Sequence, residues 1–411
     1  MKPEPTRPIL VQAARLWDGT GAPLAERVSV EFRDGRVARI GANLEPAEGS
    51  QVLAAEDATL LPGLIDCHVH LTLSASGNWI GEMGDSITTL ALRASTFARR
   101  TLHGGVTTVR TLGGGHGIEV DVHRAIRSGL IEGPRIVSAG KIICITGGHG
   151  NWAGREADGP DDVRKAVREQ LKEGAEVIKF TATGGVMTPG ISALGMSFTL
   201  EELTAGVHEA HKGGRRATAH ALSSAGIRNA VLAGCDSVEH GSNIDDELAA
   251  LMREHGTVLV PTVAAIHHFG TAGAVGGAPE WAVSKAQQMA PLARASFQRA
   301  VAGGVTIAMG TDAGTPFNEH GANAQEISLM VASGLAAHDA LLAATRNAAR
   351  LIGLDQEIGS LESGKCADAI LVRGNPVQDP GLFSSPDNIL AVFKDGRAVK
   401  LSPDLQLVNA G

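Results

Sequence analysis

No tyrosine occurs among the 411 residues, so no phenol of this chain can serve as a catalytic acid or oxyanion donor. The four cysteines, Cys67, Cys144, Cys235 and Cys366, are scattered, and no two form a Cys-x-x-Cys pair. That spacing argues against a disulfide framework and a cysteine-ligated zinc site, and it suits a reducing compartment. Acidic residues outnumber basic ones, 44 to 36, for a net charge of −8. Nucleic-acid footprints are usually strongly basic and membrane-surface patches polybasic, so neither partner is expected. The Pro-rich first ten residues lack the apolar core of a signal peptide. The longest uncharged stretch, 256–279, contains two prolines, two histidines and many glycines. It reads as a buried strand followed by loop, not as a membrane span. A soluble cytoplasmic protein is the expectation. No Gly-x-Gly-x-x-Gly opens a first strand–helix unit, which weakens a dinucleotide-binding reading.

Hydrophobic residues make up 43% and charged residues 19%, a globular balance that excludes a disordered chain. Glycine is unusually frequent, 52 residues, so many tight turns are expected. The first sixty residues read as β-rich: short apolar runs at 9–14, 28–32 and 36–40 are separated by Asp18-Gly19 and Asp34-Gly35 turns. The tail repeats the pattern at 369–372, 389–394 and 397–400, with Asp395-Gly396 as a hairpin turn. Two such ends suggest one small β-domain, 1–61 with 355–411, expected as a sandwich.

Between them, apolar β-type runs alternate with helical stretches. Strand candidates are 64–70, 106–112, 135–143, 177–182, 216–221, 237–240, 258–262 and 306–311. Helix candidates lie between, for example 162–173, 200–212 and 291–302, with caps at Asp161 and Thr199. Eight such alternations predict an α/β fold with a (β/α)8 TIM barrel over 62–354. The runs Gly113-Gly114-Gly115 and Gly303-Gly304 read as turns.

The sharpest local signal is Asp66-Cys67-His68-Val69-His70, at the end of the first strand. Residues two apart on a strand point the same way, so His68 and His70 face one side together. At the C-terminal end of a barrel strand they form half a metal site. His220, His240 and Asp312 end the fifth, sixth and eighth strand candidates and are all ligand types. Lys179 ends the fourth, flanked by Val177, Ile178 and Phe180. Burial lowers a lysine's pKa. A neutral amine that adds carbon dioxide becomes a carbamate whose two oxygens can bridge two cations.

His68-Val69-His70, Lys179, His220, His240 and Asp312, in that order, resemble the amidohydrolase superfamily. The flanking segments Leu61-Pro62-Gly63-Leu64-Ile65-Asp66 and 359–368 match its pattern too. The resemblance implies a barrel with a small β-sandwich domain, and two divalent metals, with zinc best suited to the ligands. His68, His70 and Asp312 would bind one metal, His220 and His240 the other, and carboxylated Lys179 would bridge them. A hydroxide between the metals would attack, and Asp312 would carry its proton to the leaving amine. A homo-oligomer and a small-molecule amide substrate are also implied.

Finer features look like one subgroup: Gly105-Val106-Thr107-Thr108-Val109-Arg110, Thr146-Gly147-Gly148-His149-Gly150, Thr183-Gly184-Gly185-Val186, Gly314-Thr315-Pro316 and His320-Gly321. This subgroup resembles Xaa-Pro and Xaa-Arg dipeptidases, imidazolonepropionase-like proteins and ochratoxin A hydrolases. The implied reaction cleaves an amide whose amine side is an amino acid, in N-acyl amino acids or dipeptides. The alternative is a cyclic-amide hydrolase or deaminase on the same scaffold. His149 is then expected in the pocket, near the scissile carbonyl or the substrate carboxylate. Arg110 is a candidate carboxylate clamp, and Gly184, Gly185, Val186, Leu222 and His320 are candidate lining. Many relatives follow the arginine with aspartate, where this chain has Thr111, which would leave Arg110 less constrained. Relatives often carry Tyr or His where this chain has Leu222, which points to a more apolar pocket. Met187, Leu194, Met196 and Ile266 would suit it. Asn151, Trp152, His267 and His268 read as packing or surface groups.

Overall fold

The computed structural model describes residues 7–82, 84–273 and 275–410. Both chain ends build a single sheet. Ile9–Leu16, Ala25–Arg33, Arg36–Ala42 and Gln51–Pro62 come from the start, and Ala369–Arg373, Ile389–Lys394 and Arg397–Leu401 from the end. The twelve-residue strand Gln51–Pro62 is absent from the sequence reading. It joins the two halves, pairing parallel to Ile9–Leu16 and antiparallel to Ala369–Arg373. The two Asp-Gly hairpins form as expected: Arg33 opposes Arg36 and Lys394 opposes Arg397. Asp34 and Gly35 have φ of 50° and 78°, and Asp395 and Gly396 48° and 71°, the left-handed pair that a two-residue hairpin needs.

These strands form one continuous sheet, and it curls over. Phe32 and Phe393 meet edge to face with ring centroids 5.2 Å apart, although three strands separate theirs. At about 4.8 Å per strand a flat sheet would hold them about 19 Å apart. Around the two rings lies an apolar cluster of their own sheet, including Val11, Val30, Leu53, Leu60 and Leu371.

The middle of the chain forms two parallel sheets. Leu64–Val69, Val106–Thr111 and Arg135–Ser138 make one. Val258–Val260, Ser237–His240, Arg216–Ala221, Val177–Thr181, Ile143–Cys144 and Arg155–Glu156 make the other, in that order. The third strand candidate, 135–143, is therefore split between sheets, at a turn through Gly140 with φ 67°. Segment 306–313 departs further from expectation: it has no regular strand, only isolated parallel bridges Leu259–Ile307 and Val69–Ala313. Its backbone still bonds both neighbours, Leu259 N to Thr306 O at 2.9 Å and Asp312 N to His68 O at 2.7 Å. Gly310 lets it lie this close, since a Cβ there would sit 2.9 Å from His68 Cβ and 2.4 Å from Val260 Cγ1.

The helices cover these sheets. Leu200–Lys212 starts at a complete capping box, Thr199 with Glu202, as its sequence promises. Pro160–Glu173 is capped at Gly159 with proline in its first turn, so Asp161 lies inside the helix and is not the cap. Pro291 does not start a helix; it lies inside Glu280–Ala302. Buried Ala282, Val283, Ala286 and Met289 before it, and Phe297 and Ala300 after it, hold that helix through the lost hydrogen bond. The loop expected after residue 262 is the helix Val263–Ala272. Its first N–H groups, of Val263 and Ala264, donate to the distant Glu326 carboxylate, both at 2.7 Å. A cap supplied from 62 and 63 residues away leaves no local signal. Among the described residues, no helix is long and apolar enough to cross a membrane.

Candidate metal centre and active site

The strand ends of the two parallel sheets converge on one cavity. His68, His70, Lys179, His220, His240 and Asp312 all line it. One atom each from His68, His240 and Asp312 lie within 4.8 Å of one another. His70 Nε2 is 3.1 Å from Asp312 Oδ1, and the His220 and His240 rings are 4.6 Å apart. Asp312 and His240 leave their strand ends with φ of 61° and 69°. Such left-handed backbone is uncommon outside glycine and clusters at functional sites.

Each imidazole is anchored through its other nitrogen. His68 Nδ1–H donates to Glu239 Oε2 at 2.9 Å, His70 Nδ1–H to Gly113 O at 2.6 Å and His220 Nε2–H to Gly184 O at 2.8 Å. His240 Nδ1 pairs with Thr262 Oγ1 at 2.7 Å. Carboxylate and carbonyl partners can only accept, so in the neutral rings of the first three the remaining nitrogen carries a lone pair. Burial drives His68, His220 and His240 well below the ordinary imidazole range. Burial opposes the His70 cation too, but Asp312 outweighs it and raises that pKa. Burial lowers Lys179 to about 8. Lys179 Nζ and Asp312 Oδ1 are buried with no hydrogen-bond partner. Lone pairs, a carboxylate oxygen and an unpaired amine in one buried cluster fit divalent cations.

The sequence reading missed the layer beneath. Glu239, fully buried, accepts from His68, from Arg110 Nη2 at 2.7 Å, and from Ser237 and Thr218 hydroxyls. Burial would raise its pKa, but Arg110 beside it prevails and lowers it. Asp66 accepts from the Thr311 hydroxyl and from Asn323, tying the first strand to segment 306–313. A charged residue one or two positions before a candidate ligand on a buried strand was the available signal for both.

Arg110 is corrected by the same network. It is 1% exposed and donates to Cys67 O, Ser237 Oγ and Glu239, beneath the ligands and outside the cavity. A buried carboxylate needs a cation, and Arg110 supplies it, so Thr111 leaves it no freer. Glu239→Gln should cost about 3–5 kcal/mol of stability, because it strands a buried guanidinium. Thermal denaturation reads this, and an unchanged melting temperature would refute the assignment.

His320 also lies off the cavity: it stacks on Phe97 at 4.7 Å and bonds Leu73 O at 3.2 Å, bracing the loop after the first strand. Gly184 and Gly185 shape the site without lining it. Gly184 O orients His220, and Gly185 makes room for His149, whose Nε2 would lie 2.4 Å from a Cβ there. Val186, Leu222, Met187 and Ile266 do line the cavity, with Leu73, Phe269 and Met289. Leu194 and Met196 point outward, 38% and 53% exposed. Asn151 bonds Gly148 O, and His268 pairs with Gln325, as packing groups do. Trp152, in contrast, lines the cavity.

His149 lines the cavity with its ring 4.5 Å from His220. Burial and then Lys179 push its pKa down to about 3, so it is neutral. Thr188 Oγ1 lies 2.8 Å from His149 Nδ1 and accepts from Gly150 N. The hydroxyl and the ring nitrogen thus share one hydrogen bond that fixes the ring's orientation.

A parallel α/β scaffold with a buried histidine–carboxylate–lysine cluster at its strand ends is that of a metal-dependent hydrolase. Residues 59–399 match the amidohydrolase family, and the chain belongs to it. It is accordingly a hydrolase of carbon–nitrogen bonds, in a family that binds divalent metals. It is 33% identical to ochratoxinase of Aspergillus niger, across 95% of this chain and 86% of the relative. Imidazolonepropionase of Symbiobacterium thermophilum is 28% identical, across 83% and 82%. A Xaa-Pro dipeptidase crystallised with methionine in its active site superposes with a TM-score of 0.90, at 34% identity, across 96% of this chain and all of the other. These neighbours are of the TIM-barrel type.

Proposed function

We propose that the protein is a binuclear metal-dependent amidohydrolase that cleaves N-acyl amino acids or dipeptides, including N-acyl-phenylalanines of the ochratoxin A type. The observation that carries this is the convergence of all six candidate ligands on one largely apolar cavity. On this reading the two parallel sheets with segment 306–313 are a closed (β/α)8 barrel over 62–354. The curled sheet, 1–61 with 355–411, is the β-sandwich domain, and the chain forms a homo-oligomer.

His68, His70 and Asp312 would hold one cation and His220 and His240 the second, with zinc favoured by imidazole and carboxylate. Lys179 would bridge as a carbamate, formed when its uncharged amine adds carbon dioxide and releases a proton. Two cations there supply polarisation of the amide carbonyl and a lowered pKa for water. Asp312, whose carboxylate lines the cavity, takes the proton of the attacking water and gives it to the leaving nitrogen. His149, in the cavity wall beside His220, contacts the substrate. Leu222, Met187, Ile266 and Phe269 exclude water and take apolar groups.

The test is metal content per chain alongside a screen of N-acyl amino acids and dipeptides for amine release. About two metals with release of one amino-acid class is expected. Two metals with turnover confined to cyclic amides would move the reading to the imidazolonepropionase-like chemistry. No metal after loading with zinc and bicarbonate would refute it.

A further inference from the structure

A second cavity lies beside the catalytic one, at the same end of the parallel strands. Its lining comes from the segments after Leu64–Val69, Val106–Thr111 and Arg135–Ser138, and includes Leu90, Gly115, His116, Lys141 and Glu156. Among the described residues, Leu73 and Trp152 are the two that line both cavities. They are therefore the wall between them. The catalytic cavity encloses about 110 Å3 and the neighbouring one about 490 Å3. On this side of the site, room for a larger substrate lies beyond the wall.

The wall is held from both of its ends. The Trp152 ring packs against the apolar cluster that contains Leu73, Trp79, Met187 and Phe269. Tight turns fix the backbone around it: Ala153 N donates to Gly150 O at 3.0 Å, and Arg155 N to Ile142 O at 2.7 Å. Leu73 is tied to the ligand strand by its N–H, 3.1 Å from His70 O. Close-packed side chains on a fixed backbone do not give way cheaply to an extra ring. We propose that Trp152, with Leu73, is the stop that sets the largest substrate arm this side of the site accepts. Truncating the indole would join the two cavities and admit a longer arm. This assignment rests on the amide-hydrolase reading.

The experiment uses the metal-loaded full chain and two ladders of amides. In the first, the acyl group on L-phenylalanine grows from acetyl to benzoyl to 4-phenylbenzoyl. In the second, the N-acetylated amino acid grows from alanine to phenylalanine to 4-phenylphenylalanine. The readout is the ratio of kcat/KM between last and first rungs, with metal content measured alongside. In the unaltered chain, kcat/KM should fall by about a hundredfold along the ladder whose arm meets the wall. Trp152→Ala should raise that ladder's ratio by about tenfold or more, and leave the other ladder's ratio within about threefold. Adding Gly115→Leu should cancel the gain. Gly115 lines the neighbouring cavity and not the catalytic one, and a Cβ there would meet only Leu90 Cδ1, at 3.5 Å. No gain on either ladder with metal retained, an equal gain on both, or a gain that survives Gly115→Leu would overturn the wall. Should Trp152→Ala not fold, Trp152→Leu keeps an apolar side chain against the cluster and should move the same ratio by about threefold or more. An unaltered chain that accepts every rung of both ladders equally would also overturn the proposal. If it releases amine from no rung of either ladder, the hydrolase reading itself fails, and this assignment falls with it.

Discussion

Asp312→Asn should lower kcat by about a hundredfold to ten-thousandfold, the range that general acid–base catalysis supplies. The substitution keeps the shape and an oxygen but removes the basicity. Asp312 is the group placed for the proton transfer: it lines the cavity, and its Oδ1 is buried with only the ligand nitrogens His70 Nε2 and His68 Nε2 beside it, at 3.1 and 3.3 Å. The fold should survive, because the links between the first strand and segment 306–313 run through other atoms. These are the Asp312 backbone N–H to His68 O, and the Asp66 carboxylate to Thr311 and Asn323. Steady-state rates with a thermal melt and metal analysis separate these effects. A variant with unchanged metal and a kcat within tenfold of the parent would remove Asp312 from the proton path.

Lys179→Ala should lose metal and nearly all activity, with partial recovery when formate, acetate or propionate is added. The physical reason is that the amine is buried and unpaired, and burial lowers it to about 8, so an uncharged fraction is available to add carbon dioxide near neutral pH. As a carbamate the same side chain would bring an anion with two oxygens to the cations. A short carboxylate diffusing into the space left by the side chain can replace both oxygens, which a purely structural lysine would not permit. Metal analysis and turnover against carboxylate concentration read the outcome. Full metal occupancy without added carboxylate would refute the bridging role.

Much of the centre was legible along the chain because its ligands obey local rules. His68 and His70 share a strand face by period two, and His220, His240 and Asp312 each follow a short apolar run. The Asp-Gly hairpins and the Thr199 capping box were legible for the same reason, since neighbouring residues alone satisfy them. The failures share a different cause. Arg110 has the composition of a carboxylate clamp, and only Glu239, 129 residues away, makes it a buried counter-ion. His320 carries a ligand's side chain, yet Phe97 and Leu73 O hold it behind the wall. The helix Val263–Ala272 begins where Glu326 caps it. Pro291 lies inside a helix because packing on both sides offsets its missing N–H. Trp152 read as packing, and the structure places it in the wall of the cavity.

The sequence by itself thus determined the six candidate residues that meet at one cavity, the alternating strands and helices that carry them and the strands that both chain ends give to one sheet, because periodicity, turn chemistry and residue type act over a few neighbours. The tertiary structure alone decided which charged groups are spent on one another and which stay free to meet a substrate. A buried charge or N–H is defined by whatever lies against it, and in this chain those partners come from tens to hundreds of residues away.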